Sequence, residues 1–228
     1  DYSQIELRVL AHLSQDPALL EAFRKGEDIH SSTAAMMFDV PIEQVTIENR
    51  RIAKVLNFGV IYGLSSFGIS QQTEFSPDEG RYFIETYFSK YPGIQKYIDE
   101  TKKAVRKVGY AETLLGRRRY MPEVEASNYA VRQAGERMAI NMPIQGTAAD
   151  IMKLAMIRVH RKLKSSALSS RMLLQVHDEL VFEVPRSEMQ TLADIVFAEM
   201  PNALDGYAQL SVPLEIDMKT GVTWGDME

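Results

Sequence analysis

The chain has 228 residues, 45% of them hydrophobic and 25% charged, which is ordinary for a globular protein with a sizeable core. Its 31 acidic and 26 basic residues give a net charge of −5, which argues against a uniformly basic nucleic-acid binder but allows local basic patches. The sequence contains no Cys, which excludes disulfides and thiolate metal sites, and no apolar run is long enough for a membrane span. A cytosolic setting is therefore expected. Because the sequence opens on Asp rather than Met, we expect it to be a piece of a longer polypeptide.

The N-terminal stretch predicts a helix that begins near Ser3, because apolar residues such as Ile5 and Val9 recur at helical spacing. Ser3 and Glu6 fit a capping box over this helix, an interpretation that requires no function for either residue. It leaves Asp1, which precedes the helix, unexplained.

The next two helices are predicted over 18–24 and 31–38, with Gly26 and Pro41 as terminators. His30 stands just before the second of them. There its side chain could join the N-terminal amides in holding an anion. A solvent-exposed His at a helix terminus is the alternative.

The most specific segment runs from residue 50 to residue 63 and carries two cations followed by two aromatics, each four residues apart. These residues are Arg50, Lys54, Phe58 and Tyr62. On a helix they form one stripe, which could present cations to phosphates and flat rings to a sugar and a base. The alternative is an amphipathic helix with its aromatics in the core and its cations solvated. Gly59 and Gly63 favour the functional interpretation, since they weaken the helix without an obvious structural return.

Further helices and strands are predicted from periodicity and from turn residues. The predicted helices are one from Pro77, then 94–107, 128–140, 147–164 and 188–200, with a break at 141–143 and strands over 110–115 and 212–218. Arg117, Arg118 and Arg119 follow the first of these strands, beside Tyr120. They fit either a solvated turn or contacts with phosphates.

A β-hairpin is predicted over 171–184, where the even-numbered residues are apolar. The even-numbered apolar residues of both strands lie on one face of the hairpin only if the loop has an odd number of residues. This favours a loop of three residues, His177, Asp178 and Glu179. Adjacent carboxylates on a rigid hairpin suit a divalent metal, although Asp in a turn is also common without any function.

Three stretches together resemble the signature motifs of family A DNA polymerases, the bacterial DNA polymerase I family. They are Asp1–Arg8 (DYSQIELR), Arg51–Gly63 (RIAKVLNFGVIYG) and Val176–Glu179 (VHDE), in the order and at the spacing of that family. The resemblance extends over all 228 residues and includes Leu115–Tyr120 and Asn141–Asp150.

This resemblance implies an α+β fold of the right-hand polymerase kind, with an antiparallel palm sheet, a largely helical fingers insertion and no thumb within this chain. The implied division is a first part of the palm over 1–17, fingers over 18–140 and a second part of the palm over 141–228.

The resemblance also implies a function, the template-directed addition of deoxynucleotides to a DNA primer 3′ end in replication or repair. Two Mg²⁺ ions would stabilise the attacking 3′ oxygen and the leaving pyrophosphate. By resemblance, Asp1 and Asp178 hold both ions, the backbone carbonyl of Tyr2 adds a ligand, and Glu179 assists nearby. Carboxylate and carbonyl oxygens are the hard donors that Mg²⁺ prefers.

Other positions are implied to bind the incoming nucleotide. Arg50 and His30 would bind its outer phosphates. Lys54 would bind the inner phosphate and protonate pyrophosphate. Glu6 would lie under C2′ of the sugar, where it excludes a 2′-hydroxyl.

The remaining implied contacts are with the sugar, the template and the duplex. Phe58 would lie by the sugar, and Tyr62 would stack at the template position. The residues implied to touch the duplex minor groove near the primer end are Arg137, Asn141, Gln145 and His177. Because minor-groove acceptors are common to all correct pairs, such contacts check shape rather than sequence.

Two other classes stay open, a different two-metal enzyme such as a nuclease and a catalytically silent DNA-binding fragment. A nuclease would share the carboxylates but has no use for the residue 50–63 stripe. Under the polymerase interpretation we expect primer-template DNA and deoxynucleoside triphosphates as partners, no membrane, a monomer once the domain is complete, and a cytoplasmic, nucleoid-associated location. The fragment alone is expected to show little or no activity.

Overall fold

The computed structural model describes residues 1–63, 66–73 and 75–227. Its helices and strands are α1 (Ile5–Ser14), α2 (Pro17–Arg24), α3 (Ile29–Phe38), α4 (Ile47–Ile61), α5 (Ser66–Gln72), α6 (Pro77–Lys90), α7 (Pro92–Val108), β1 (Tyr110–Glu112), β2 (Arg118–Tyr120), α8 (Tyr129–Ser165), β3 (Arg171–Val176), β4 (Glu179–Glu183) and α9 (Met189–Glu199). The described residues are mostly helical and form two small antiparallel sheets, so the fold has the predicted α+β class. Among the described residues, no helix combines the length and apolar composition that crossing a membrane requires.

Two compact units divide the chain. One contains residues 6–147 and 210–212, and the other contains residues 1–5, 148–209 and 213–228. These bounds follow from packing alone, so the division into palm and fingers stays a prediction.

In the unit of residues 6–147, the buried side chain of Asp16 connects two helix starts. Its Oδ1 accepts hydrogen bonds from the N–H groups of Ala18 (3.1 Å) and Leu19 (3.2 Å), which caps α2. Its Oδ2 accepts the Gly93 N–H at 2.8 Å, at the start of α7. A side chain at Gly93 would meet Asp16 at 2.7 Å, so only glycine allows this approach.

The same unit contains a local core between α7, the β1–β2 hairpin and the first part of α8. Its members are Val105, Ala111, Met121, Val124, Ala139 and Met142. Beside it, the side chain of Thr147 accepts the N–H of Leu114 at 3.0 Å. The basic run therefore belongs to a hairpin that is attached to a helix.

The predicted helix break at 141–143 is wrong, because α8 continues from Tyr129 to Ser165 with Pro143 inside it. Proline removes one backbone hydrogen bond and usually ends or kinks a helix. Here Met142, Pro143 and Ile144 are all buried. Burial of this segment outweighs the local cost of the proline.

In the other unit, β3 and β4 pair antiparallel as predicted, but around the two-residue turn of His177 and Asp178. The predicted three-residue loop is wrong, since Glu179 belongs to β4 and pairs with Val176. A bulge between Met172 and Leu174 adds one residue to β3, so that Leu174 lies opposite Val181.

The buried residues of the hairpin also differ from the prediction. Leu180 and Val181 are buried, whereas Leu174, predicted to share the buried face, is 49% exposed. Leu173, on the opposite face of β3, is also exposed, at 53%, so neither face of the strand is buried at this point.

The predicted strand over 212–218 is also wrong. Its alternation is real, because Val212, Leu214 and Ile216 are buried. Among the residues that the structure describes, one β-bridge forms there, between Tyr2 and Ile216, and a strand requires a longer ladder of such pairs.

Candidate active site

Three backbone segments meet at the tip of the β3–β4 hairpin. The N–H of Tyr2 donates to the carbonyl of Asp178 at 3.0 Å. On its other side, this N-terminal segment pairs with residues 215–217, because Ser3 N–H donates to Glu215 (2.9 Å) and Asp217 N–H donates to the carbonyl of Asp1 (2.9 Å). The tyrosine itself is anchored, with a 1% exposed side chain whose hydroxyl donates to the carbonyl of Met200 at 2.7 Å. The backbone of Asp1 and Asp178 is thus fixed in one place.

The same contacts gather acidic side chains. Glu179, Asp178 and Asp217 all act electrostatically on the backbone nitrogen of Asp1. Asp1 is exposed and Asp178 is half-buried. Within the described ranges, no cluster of three or more His, Cys, Asp or Glu side chains forms a metal site by itself. The predicted ligand set includes only two carboxylates plus a backbone carbonyl, and its oxygen donors fit Mg²⁺.

The turn at the hairpin tip is strained. His177 has a φ of 51°, a conformation that side-chain-bearing residues adopt rarely and that costs about 1 kcal/mol or more. Its carbonyl accepts a hydrogen bond from the Gln175 side chain at 2.9 Å, and its own side chain is exposed. The strained backbone therefore places an exposed histidine directly beside Asp178.

Helix α4 carries the predicted stripe on an accessible face. Lys54 is exposed, Phe58 is half-buried and Tyr62 is 44% exposed. The buried positions of the helix are others, notably Ile52 and Leu56. The alternative, in which both aromatics belong to the core, is therefore wrong for Tyr62.

Arg50, at the first stripe position, forms a bidentate ion pair with Asp28. Its Nε and a terminal nitrogen lie 2.7 and 3.0 Å from the two carboxylate oxygens. Burial by itself would raise the pKa of Asp28, but the hydrogen bonds from Arg50 and Ser31 outweigh it and hold that pKa at about 2. A carboxylate occupies the fork with which an arginine binds a phosphate. A nucleotide phosphate would therefore have to compete with Asp28 for Arg50.

His30 lies within α3 and is only 3% exposed, so the alternative of a solvent-exposed histidine is wrong. Its ring centroid is 5.6 Å from that of Phe58. Burial chiefly lowers the pKa of His30 to about 4; Asp28 opposes this shift, and Arg50 and Lys54 add to it. The histidine therefore adjoins the stripe in its neutral form.

Glu6 and the end of α4 meet in the same unit. The Tyr62 hydroxyl donates to the Glu6 carboxylate at 3.2 Å and is also hydrogen-bonded to the side chain of Gln145. Burial and the negative charge of Glu6 raise the pKa of Tyr62. Arg137 joins the group, since its Cγ lies 2.7 Å from where a side chain at Gly63 would begin. Four residues predicted to contact the nucleotide or the duplex thus lie together.

The predicted DNA contacts on the β1–β2 hairpin have protein partners. The guanidinium of Arg117 donates to the carbonyl of Gly146 at 2.9 Å. That of Arg118 pairs with Glu112 and lies 4.5 Å above the ring of Tyr110. Contact with phosphates would require both side chains to share or exchange these partners.

Asn141, the remaining predicted minor-groove residue, is half-buried in α8. Its side-chain Oδ1 is buried, and no described residue donates a hydrogen bond to it. A buried acceptor without a partner costs free energy, which a ligand's donor would recover.

Three further residues, which were not predicted from the sequence, contact the predicted site residues. Asp28 carries a sequence signal, since it caps α3, but nothing in the sequence connects it to Arg50. The side-chain Nδ2 of Asn57 lies 3.1 Å from Nδ1 of His30, and Trp224 donates to Glu179 at 3.1 Å. Each is separated from its partner by more than twenty residues, so local patterns do not reveal the contact.

The predicted site residues therefore form two groups. Asp1, Tyr2, His177, Asp178 and Glu179 lie in one unit, and all the others lie in the unit of residues 6–147.

Comparison with known proteins agrees with this geometry. The model of DNA polymerase family A matches residues 1–226. The chain belongs to DNA polymerase family A. Similar relatives include DNA polymerase I of Mycobacterium leprae (48% identical over 99% of this chain) and of Bacillus caldotenax (47% identical over 99%). The chain spans 24% and 25% of the length of these two relatives.

A solved family member has the same fold. It is the POL domain of Pol1 from M. smegmatis, in a complex with DNA primer-template and dNTP. The superposition covers 100% of this chain and 39% of that one, with 48% identity and a TM-score of 0.95. The expected fold and family are thereby confirmed.

Proposed function

We propose that this chain contributes to a template-directed DNA polymerase, which adds deoxynucleotides to the 3′ end of a primer in replication or repair. Family membership supports this proposal, and the observation that carries it is the accessible stripe of Arg50, Lys54 and Phe58 on α4, which Tyr62 continues in the turn after the helix. A stripe of cations and rings suits a nucleoside triphosphate better than it suits a solvated helix face. The partners would be primer-template DNA and deoxynucleoside triphosphates, and the protein would act as a monomer at the bacterial nucleoid.

In this proposal Asp1 and Asp178 hold two Mg²⁺ ions, with the backbone carbonyl of Tyr2 as a further ligand. In an extended residue the N–H and C=O groups lie on the same side, so Tyr2, which donates to Asp178, would direct its carbonyl toward the hairpin tip. When bound, Mg²⁺ supplies charge stabilisation for the attacking and leaving oxygens. Glu179, one residue beyond, acts nearby.

The unit of residues 6–147 would bind the nucleotide. Arg50 and the N–H of neutral His30 take the outer phosphates. Lys54 takes the inner phosphate and gives a proton to the leaving pyrophosphate. Phe58 packs beside the sugar, while Glu6, fixed by Tyr62, closes the space next to C2′.

The remaining predicted contacts would hold the DNA. Tyr62 stacks at the template position. Minor-groove contacts come from Arg137, Asn141, Gln145 and His177, and phosphate contacts from Arg117 and Arg118. In this proposal residues 1–17 and 141–228 are palm, and residues 18–140 are fingers.

Replacement of Asp178 by Asn tests the proposal. Loss of a metal-binding carboxylate should reduce primer extension by the whole protein roughly a thousandfold or more, while duplex binding remains. Single-turnover incorporation and a DNA-binding titration measure the two effects. Asp194→Asn, on the exposed face of α9, is the matched control and should retain the parental rate.

The same assay separates the other classes. A nuclease would shorten the labelled primer, and a silent DNA-binding fragment would leave it unchanged even before mutation. An Asp178→Asn variant with a tenth of the parental rate would refute the metal assignment.

A further inference from the structure

A buried polar cluster lies behind the stripe of α4. Asn57, 1% exposed, contacts His30 and Thr33 from α3 and Tyr87 from α6, and Thr33 continues to Tyr91. We call these five residues the Asn57 cluster. Buried polar groups are costly unless they are hydrogen-bonded, so the cluster has one favourable arrangement of its protons.

Asn57 determines that arrangement through its amide. Its Oδ1 lies 3.2 Å from the Tyr87 hydroxyl, and its Nδ2 lies 3.1 Å from His30 Nδ1. Burial raises the pKa of Tyr87 well above its usual value, so its hydroxyl keeps a proton to donate. Tyr87 therefore donates to Oδ1, and Nδ2 donates to His30.

The opposite amide orientation is disfavoured by Tyr87. With the amide turned over, its NH₂ would face the Tyr87 hydroxyl, whose proton would then have no acceptor among the described residues. A buried hydroxyl without an acceptor costs about 1–3 kcal/mol. Thr33 does not affect this choice, because its hydroxyl is 3.1 to 3.2 Å from both ends of the amide.

The orientation of Asn57 fixes the tautomer of His30. A ring nitrogen that accepts a hydrogen bond carries no proton, and a neutral imidazole has only one. Since Nδ1 accepts from Asn57, the proton of His30 is on Nε2.

The tautomer matters because His30 adjoins the stripe proposed to bind the triphosphate. A neutral imidazole can bind a phosphate oxygen only through its N–H, and a lone pair in the same place would repel that oxygen. Nδ1 is occupied by Asn57, so Nε2 is the nitrogen left for an anion.

We propose that Asn57 is a positioning residue, which holds His30 in the Nε2–H tautomer and so makes it a hydrogen-bond donor for the phosphates of the incoming nucleotide. This inference rests on the proposed function for the identity of the anion. The tautomer itself does not depend on that function.

The tautomer is measured by nitrogen NMR of the whole protein labelled with ¹⁵N-histidine, with His30→Gln to assign the signal. At neutral pH the parent should show a protonated Nε2 and an unprotonated Nδ1. In Asn57→Asp the new carboxylate accepts a hydrogen bond, so Nδ1 should become protonated. A parent with its proton on Nδ1, or an Asp variant whose Nδ1 stays unprotonated, would overturn the inference whether or not the protein is a polymerase.

Steady-state incorporation tests the effect on the nucleotide. Asn57→Leu, of similar volume but without a donor, should raise the KM for the deoxynucleotide about tenfold and change kcat less than threefold. In a His30→Ala background the same substitution should leave KM unchanged. An equal rise in both backgrounds would mean that Asn57 acts only on packing.

Tyr91→Phe is the matched control, since it removes a buried hydroxyl of the same cluster that does not touch the amide. It should lower stability without changing KM. If Asn57→Leu does not fold, the NMR result for Asn57→Asp decides by itself. A protein that incorporates no nucleotide would refute the proposed function and leave the tautomer result valid.

Discussion

Glu6 is held in the structure by a partner on another helix. Its carboxylate accepts the hydroxyl of Tyr62, which is itself hydrogen-bonded to Gln145. The capping-box interpretation requires Ser3 N–H to donate to Glu6, but that N–H donates to the carbonyl of Glu215. A long-range contact with Tyr62 therefore contributes to the position of Glu6.

A fixed carboxylate that excludes a 2′-hydroxyl acts by its size. In the whole protein, Glu6→Ala should raise the ratio of ribonucleotide to deoxynucleotide incorporation efficiency at least tenfold, because the obstacle affects one substrate only. Glu6→Gln keeps the volume and should leave the ratio near that of the parent. Single-nucleotide incorporation with matched triphosphates gives both values. An unchanged ratio in the Ala variant would rule out this role.

Trp224 holds the carboxylate of Glu179, the acidic residue predicted to assist beside the metal ligands. Its indole N–H donates to Glu179 at 3.1 Å, from a 3₁₀ turn that Asp226 closes by accepting two hydrogen bonds from Thr223, each of 2.8 Å. The bond occupies one carboxylate oxygen of Glu179 and thereby orients the other. Nothing in the sequence around Trp224 indicates this contact.

Trp224→Phe removes the donor and keeps an aromatic ring. We expect it to lower kcat for incorporation about threefold to tenfold and to raise the Mg²⁺ concentration needed for half-maximal rate, since a loosely held Glu179 assists less. In a Glu179→Gln background the same change should have little further effect. Additive losses in the double variant would show that Trp224 merely supports the fold.

The structure gives a reason for the glycine at position 63, just beyond the end of α4. Its φ of +65° ends the helix in a conformation that glycine adopts without strain, and the Arg137 side chain occupies the space where a Cβ would lie. Gly63 therefore has a structural role, contrary to the sequence-based interpretation. The glycine lies two residues beyond the end of α4, directly after Tyr62 and beside the predicted duplex contact Arg137.

Gly63→Ala and Gly26→Ala form a matched pair. The φ angles, +65° and +66°, are nearly the same, but a Cβ at Gly26 meets nothing within 4 Å. Both substitutions should lower the free energy of unfolding by about 1 kcal/mol through backbone strain. Only Gly63→Ala should also weaken primer-template affinity, because it displaces Arg137. If a fluorescence anisotropy titration gave equal primer-template affinities for Gly63→Ala and Gly26→Ala, Arg137 would have no part in DNA binding.

Local signals predicted the helices better than the strands. Helices α2, α3 and α7 follow from apolar spacing and from terminators such as Gly26, which follows α2 with a positive φ. The continuity of α8 through Pro143, the bulge in β3 and the missing ladder at Ile216 all depend on residues far away in sequence. Periodicity reports which side chains face a core, but not how the backbone is paired.

The same distinction applies to the candidate site. Its residue types could be read from the sequence because family motifs preserve them in order and spacing. Their partners could not, since Asp28 binds Arg50, Asn57 binds His30 and Trp224 binds Glu179 across long intervals.

The stability of the molecule should depend on pH through its buried histidine. His30 has a pKa of about 4, below the ordinary value of 6.5, so the unfolded chain binds the proton more strongly than the folded one. The stability linked to His30 is therefore complete above pH 6.5 and is lost as the pH falls from 6.5 to 4. Asp28, whose pKa is about 2, loses its own contribution only below that window.

Urea unfolding at pH 7 and at pH 4.5 measures this effect. We expect the free energy of unfolding to fall between these values, with about 2 kcal/mol of the loss due to His30. His30→Gln cannot take up the proton and should remove that part of the pH dependence. His160→Gln, at an exposed position of α8, should keep the parental dependence. Equal slopes for the parent and His30→Gln would mean that His30 is protonated as easily in the folded protein as in the unfolded chain.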